Sequence, residues 1–141
     1  MRLYPPVPNF AGRRVPNPGD TVGGKYLPGG TMIQFNHVAA YRLEYNFADP
    51  DAFAPERWLG DPRYASDKRD VFQPFAVGPR DCLGKNLAYA ETRLVIARLL
   101  WSFDFSVPGE QQDLGEWFEC QKTFVMWQKP PLLVEVKRRA T

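Results

Sequence analysis

Apolar residues recur at three- and four-residue steps in the stretch from about Leu83 to Trp101. The members of this stripe are Leu83, Leu87, Ala90, Leu94, Ala97 and Trp101. That period predicts an amphipathic helix, because charged residues such as Lys85 and Arg93 lie off the stripe. Further apolar residues widen the arc, so we expect the helix to be buried on more than one side.

The first half of the chain lacks such a period and is rich in proline. The whole sequence holds 14 prolines, about twice the average share, which favours loops with short strands between Tyr4 and Phe35. Within this segment, Gly30–Phe35 predicts a strand that follows a Pro-Gly-Gly turn. Asp49–Phe53 predicts a capped helical turn, since Asp can cap a helix and Pro suits its first position. No clear period follows from Gly60 to Val77, which indicates a long irregular connection of the kind that is usually functional.

Near the carboxyl end, two apolar runs flank the sequence Lys-Pro-Pro at residues 129–131. Thr123–Trp127 and Leu133–Lys137 are rich in strand-forming residues. We therefore predict two strands that a turn joins.

Composition and charge narrow the functional classes. The chain has 141 residues and a net charge of +2 with both signs interspersed, so we expect no nucleic acid partner. The two cysteines are far apart, which argues against a secreted disulfide framework. No apolar run approaches the length of about 20 residues that crosses a bilayer, and Met1 does not begin a signal-peptide pattern.

The candidate chemistry lies in the loop before the long helix, around Cys82. A cysteine that precedes a helix gains from the dipole and the free N–H groups of the helix start, which stabilise a sulfur anion. Gly78 and Gly84 let the backbone approach a flat ligand, and Phe75 offers an aromatic wall. Arg80 is placed to pair with a carboxylate of that ligand.

For a lone cysteine, a buried and inert role is the ordinary interpretation. The pattern of five residues weighs against it, since Phe75, Gly78, Arg80, Cys82 and Gly84 co-occur by chance on the order of once in 10^4 to 10^5 sequences.

At these positions the chain resembles the cytochrome P-450 family, whose haem-binding loop reads F-x-x-G-x-R-x-C-x-G. The resemblance implies that residues 1–141 form a carboxyl-terminal part of that domain. The implied fold class is α+β and mainly helical, with one long helix after the cysteine loop and small β-sheets. The implied cofactor is haem b, with Cys82 as the metal ligand that favours O–O cleavage.

Two arginines extend the resemblance beyond the loop. Arg2 stands where the family's E-x-x-R motif has its arginine, and Pro55-Glu56-Arg57-Trp58 is similar to its PERW motif. We expect Arg2 and Arg57 to converge in a buried cluster with a glutamate three residues before Arg2, outside the chain. The family's oxygen-activating helix would likewise lie before residue 1. Arg13 matches a position of a second haem propionate partner, although an exposed turn arginine is an equal alternative.

The implied enzyme is a monooxygenase that inserts oxygen from O2 into a hydrophobic small-molecule substrate, with electrons from an NADPH-dependent reductase. The stretch Asn86–Glu91 and the ending Trp127–Pro131 look most like fungal microsomal members that act in secondary metabolism. Such a full-length enzyme would lie at the endoplasmic reticulum membrane through an upstream anchor. An alternative is a truncated, non-catalytic product with at most a haem- or partner-binding role, and a haem-thiolate isomerase or peroxygenase would share the loop.

Three remaining features carry weaker expectations. His37, the only histidine, is expected to be structural, because one His with one distant Cys makes no zinc site. Cys120 is expected to be a small buried group. The resemblance puts Val7–Gly12 and the residues around Thr123 at the substrate.

Overall fold

The computed structural model describes residues 1–9, 12–108 and 114–139. Two compact units divide the chain. The first unit comprises Met1–Pro74 and Thr123–Trp127, and the second unit comprises Phe75–Lys122 and Gln128–Thr141. Of the predicted substrate loop from Val7 to Gly12, residues 10 and 11 lie outside the described residues.

Short antiparallel strands begin the first unit, as the sequence predicts. Strands β1 (Arg13–Arg14), β2 (Gly19–Val22), β3 (Lys25–Pro28) and β4 (Met32–Ile33) form two sheets of two strands, β1 with β4 and β2 with β3. Gly23 and Gly24 join β2 to β3 with φ of 58° and 77°, which is the left-handed backbone of a tight hairpin turn. The strand predicted at Gly30–Phe35 is confirmed at β4 only.

Helix α1 (His37–Arg42) follows and has no counterpart in the sequence predictions. The Asn36 side chain caps it by accepting a hydrogen bond from the Ala39 N–H at 2.9 Å, the usual role of Asn before a helix. With six residues it is too short to show a hydrophobic period.

The helical turn predicted at Asp49–Phe53 is not a capped helix. The Ala52 N–H donates to the Asp49 carbonyl at 3.1 Å, but Asp49 has a φ of 44° and not the extended backbone of an N-cap. The helical turn lies later, at Pro55–Trp58, where the backbone is a 3-10 helix. The irregular connection predicted after it is confirmed, with 3-10 turns at Pro62–Tyr64 and Arg69–Val71.

The first unit packs around aromatic rings and buried arginines. Tyr41 and Phe47 are fully buried, and Arg2 and Arg57 are 6% and 1% exposed. Residues Thr123–Trp127 also belong to this unit. The Trp127 indole N–H connects them to its first residues by donating to the Pro5 carbonyl at 2.6 Å.

The second unit contains the long helix α2 (Lys85–Ser102), within two residues of its predicted bounds. The predicted burial on more than one side is wrong, since no residue of α2 is buried and Leu94 is 58% exposed. A helix of 18 residues is about 27 Å long, and the other described elements of this unit are too short to cover it.

The strands near the carboxyl end pair differently from the prediction. Strand β5 (Phe103–Ser106) follows α2, and helix α3 (Leu114–Glu119) precedes the short β6 (Lys122–Thr123) and β7 (Trp127–Gln128). β6 pairs with β7, and β8 (Glu135–Arg138) pairs antiparallel with β5, Phe103 opposite Arg138. The predicted strand Thr123–Trp127 is therefore wrong, because residues 124–126 connect β6 to β7. The predicted strand Leu133–Lys137 overlaps β8, whose partner is β5.

Candidate functional site

The Cys82 loop runs from Phe75 to Gly84 and closes on itself through its backbone. The Cys82 N–H donates to the Phe75 carbonyl at 2.9 Å, and the Asp81 N–H donates to the Gly78 carbonyl at 3.0 Å. Gly78 has a φ of 85°, a conformation that residues with a Cβ rarely adopt. The loop therefore needs glycine at this position to make its turn.

Cys82 stands three residues before Lys85, the first residue of α2. The Lys85 N–H donates to the Cys82 carbonyl at 3.2 Å, and the Ala88 N–H donates to the Gly84 carbonyl at 2.9 Å. This junction puts the cysteine near the positive end of the helix dipole.

The Cys82 side chain is exposed and forms no disulfide. A Cβ built at Gly84 would meet the Cys82 Sγ at 3.9 Å, an ordinary contact, and one built at Gly78 would meet nothing within 4 Å. Space is therefore open at Gly78, and the missing side chain of Gly84 leaves one side of the sulfur uncovered. Cys120 is also exposed, so its predicted burial is wrong; it follows the short helix α3, and the described residues do not cover it.

Phe75 packs against the long helix. Its ring lies 5.1 Å from the ring of Tyr89, with 58° between the planes. The Cζ of Arg93 lies 5.0 Å from the centroid of the Tyr89 ring. No pattern in the sequence predicts this contact between the loop and the helix.

The two arginines proposed for haem lie in different parts of the chain. Arg80 is exposed in the Cys82 loop, two residues before the cysteine. Arg13 is exposed in β1, opposite Ile33. The structure brings together Phe75, Gly78, Arg80, Cys82 and Gly84 in one loop, and Arg13 belongs to the first unit.

The predicted convergence of Arg2 and Arg57 is confirmed inside the first unit. Their guanidinium carbons lie 5.3 Å and 6.0 Å from the centroid of the Phe47 ring. Burial lowers the pKa of Arg2, and the positive charge of Arg57 lowers it further. Arg2 donates to the carbonyls of Tyr41 at 2.9 Å and Ala52 at 3.0 Å, and to that of Pro50.

Arg57 has a carboxylate partner that the sequence did not reveal. Its Nη1 donates to Asp67 Oδ2 at 2.6 Å, and its Nη2 donates to the Ala48 carbonyl at 3.0 Å. Its Nε is buried and has no hydrogen-bond acceptor among the described residues. Asp67 lies in the irregular connection, where no period marks an inward position.

His37 is structural, as predicted. It is 2% exposed, and its Nδ1 lies 2.9 Å from the Val7 carbonyl oxygen. Its ring also packs against Tyr41 at 5.4 Å.

Comparison with known proteins shows which family the chain belongs to. The sequence model of the cytochrome P450 family matches residues 1–135. The chain belongs to the cytochrome P450 family. The predicted resemblance of the chain to this family is thereby confirmed.

Individual P450s resemble the chain over nearly all of its length. The cytochrome P450 monooxygenase aclL of Aspergillus oryzae is 51% identical over 137 residues, which are 97% of this chain and 27% of that protein. The averantin hydroxylase of Dothistroma septosporum is 44% identical over 140 residues, which are 99% of this chain and 26% of that protein. The chain thus spans about a quarter of the length of these relatives.

Solved P450 structures share the fold. A zebra fish cytochrome P450, solved with abiraterone, superposes with a TM-score of 0.79 and 30% identity over 100% of this chain and 31% of that one. The predicted fold class, a part of the P450 fold with one long helix after the cysteine loop and small sheets, is confirmed. Among the described residues, no helix has the length and apolarity to cross a membrane.

Proposed function

We propose that the chain is the haem-binding portion of a monooxygenase, in which the Cys82 thiolate is the axial ligand of haem b iron. The observation that carries the proposal is an exposed sulfur without a disulfide, three residues before an 18-residue helix, because such a sulfur is accessible to iron, which haem-thiolate proteins bind through cysteine. Space is open at Gly78, and Gly84 adds no side chain next to the sulfur, which suits the approach of a flat ring. The residues present therefore fit the cofactor.

The remaining loop residues have distinct roles in this proposal. Phe75 lines the sulfur, and Gly78 and Gly84 admit the ring. Arg80, exposed in the loop, pairs with one propionate, and Arg13 pairs with the other. When bound, the haem supplies the chemistry that inserts one oxygen atom from O2 into a hydrophobic organic substrate, with electrons from an NADPH-dependent reductase. The resemblance to averantin hydroxylase supports a hydroxylase of a fungal secondary metabolite.

The working enzyme of this proposal is longer than the chain and lies at the endoplasmic reticulum membrane. The buried Nε of Arg57, which has no acceptor among the described residues, supports a glutamate carboxylate supplied from three residues before Arg2. Sequencing of the transcript tests this proposal, because a glutamate codon is expected at that place in the reading frame. A stop codon in its stead would contradict the proposed partner.

For the isolated 141 residues we propose no NADPH-dependent turnover, because α2 keeps its apolar side chains exposed and the relatives are about four times as long. A non-catalytic chain with a haem-binding role is therefore the second candidate. Sequencing of the transcript separates the two, because only the first candidate requires the glutamate codon three residues before Arg2.

The decisive experiment is the spectrum of the reduced CO complex after reconstitution with haem. The wild-type chain and Cys120→Ser are expected to show the red-shifted band of thiolate ligation. Cys82→Ser is expected to lose it, because a serine hydroxyl is not an equivalent soft donor. An unchanged band in Cys82→Ser, or its loss in Cys120→Ser, would show that Cys82 is not the ligand.

A further inference from the structure

Helix α2 presents almost all of its side chains to solvent, with Tyr89 as the large exception. Among its 18 residues, only Ala88, Tyr89 and Ser102 are half-buried, and the others are exposed. Tyr89 is the only one of the three with a large side chain, and its ring packs against Phe75 in the Cys82 loop. The contact with the loop therefore accounts for the partial burial of the Tyr89 side chain.

Phe75 is the residue at which the loop closes. Its carbonyl accepts the Cys82 N–H at 2.9 Å, so a shift of the Phe75 backbone carries the cysteine with it. Because the Phe75 ring lies 5.1 Å from the Tyr89 ring, within the usual range for an aromatic pair, Tyr89 restrains Phe75 from the side of the helix.

Arg93 holds the Tyr89 ring in turn. It follows Tyr89 by four residues, which places both on the same side of the helix. Its Cζ lies 5.0 Å from the ring centroid, within reach of a cation–π interaction. The contacts thus form a series from Arg93 through Tyr89 and Phe75 to the backbone of Cys82.

We propose that Tyr89 is a positioning residue of the thiolate ligand, acting through Phe75. The functional part of this inference rests on the proposed function, since the placement of Cys82 on iron is what Tyr89 would serve. The structural part does not, because it concerns the hydrogen bond between Cys82 and Phe75 in the chain itself. Removing the Tyr89 ring is expected to open that hydrogen bond while α2 stays helical.

The test compares Tyr89→Leu, which removes the ring, with Tyr89→Phe, which keeps it. Trp101→Leu is the matched control, because it removes an aromatic ring that is 77% exposed on the same helix. Amide hydrogen exchange is measured at Cys82 by fragmentation mass spectrometry. The Arg139 amide, which donates to the Ser102 carbonyl at 2.9 Å, is the reference within the second unit.

In Tyr89→Leu, exchange at Cys82 is expected to rise roughly two- to tenfold, the range that an aromatic pair supports, with Arg139 unchanged. Tyr89→Phe and Trp101→Leu are expected to match the wild type. Equal exchange at Cys82 in Tyr89→Leu, or a parallel rise at Arg139, would overturn the proposal.

A second readout addresses the cofactor. With haem bound, the share of the reduced CO complex that keeps the red-shifted band is expected to fall in Tyr89→Leu and to be restored in Tyr89→Phe. A wild-type chain without that band would contradict the proposed function, whereas the exchange data would still decide the role of Tyr89. A selective rise in exchange with an undiminished band would remove the link between Tyr89 and ligation.

Discussion

Arg57 and Asp67 form an ion pair in which neither side chain reaches solvent: 2.6 Å separates Nη1 from Oδ2, and the side chains are 1% and 0% exposed. Asp67 also accepts the Ala48 N–H at 2.9 Å. One carboxylate therefore fixes the arginine of the PERW sequence and the backbone after Phe47.

Removing this carboxylate is expected to destabilise the first unit strongly. Asp67→Asn leaves the Arg57 charge buried without a counterion, which typically costs about 3 to 5 kcal/mol. Asp104→Asn is the matched control, since its pair with Arg139 is 49% and 59% exposed and is worth at most about 1 kcal/mol. Urea unfolding of both variants measures the loss in the free energy of unfolding. Equal losses would show that burial does not make the Arg57–Asp67 pair more important for stability than the exposed pair.

The Tyr41 hydroxyl predicts a pH dependence of stability. It accepts the Gln73 N–H at 2.9 Å, and burial raises its pKa from 10.0 to about 12 although that hydrogen bond lowers it. Below pH 10 the phenol is neutral in both the folded and the unfolded chain, so its contribution to the free energy of unfolding is fully present. Above pH 10 the unfolded chain loses the proton first, and the contribution falls until the folded pKa is passed, by roughly 3 kcal/mol in total.

Tyr41→Phe removes that titration and leaves the Gln73 N–H unpaired, which costs about 1 to 3 kcal/mol at neutral pH. The difference between wild type and Tyr41→Phe in the free energy of unfolding is therefore expected to shrink as the pH rises from 10 to 12. Urea titrations at pH 7, 10 and 11 measure it. A difference that stays constant would contradict the buried phenol.

The sequence was sufficient for features that depend on local pattern. The period of Leu87 and Leu94 located α2, and the motif around Cys82 located the loop. Features that depend on distant partners were missed or wrong. β8 pairs with β5, about thirty residues earlier, and no local signal selects that partner over the neighbouring run at Thr123–Trp127. Asp67 became visible only once the fold had placed it against Arg57.

Substitution tests the two arginines that are proposed to pair with the haem propionates. Arg80→Ala is expected to weaken haem binding by roughly 1.5 to 3 kcal/mol, the value of a hydrogen bond to a charged group, with the thiolate band unchanged. Arg13→Ala is expected to act in the same direction. Arg14→Ala, which alters the neighbouring exposed arginine of β1, is the control. Haem transfer to an excess of an apo-globin measures how well each variant retains haem. If Arg80→Ala altered the thiolate band but retained haem like the wild type, Arg80 would affect the thiolate ligand and would not pair with a propionate.

The exposed apolar side chains of α2 predict that the isolated chain self-associates. Leu87 is 63% exposed and Leu94 58% exposed. They lie seven residues apart and hence on one side of the helix, and large apolar side chains exposed together favour association. The double variant Leu87→Lys and Leu94→Lys is expected to stay monomeric at concentrations where the wild type associates, with its helix content retained because lysine is a good helix former.

The two lysines also add two positive charges, so charge alone must be excluded as the cause. Glu91→Lys makes the same change in net charge on the same helix and leaves both leucines in place. If the apolar surface drives association, Glu91→Lys associates like the wild type in sedimentation velocity, and only the double lysine variant does not. If Glu91→Lys is as monomeric as the double variant, charge repulsion is the cause, and the exposed leucines of α2 do not account for the association.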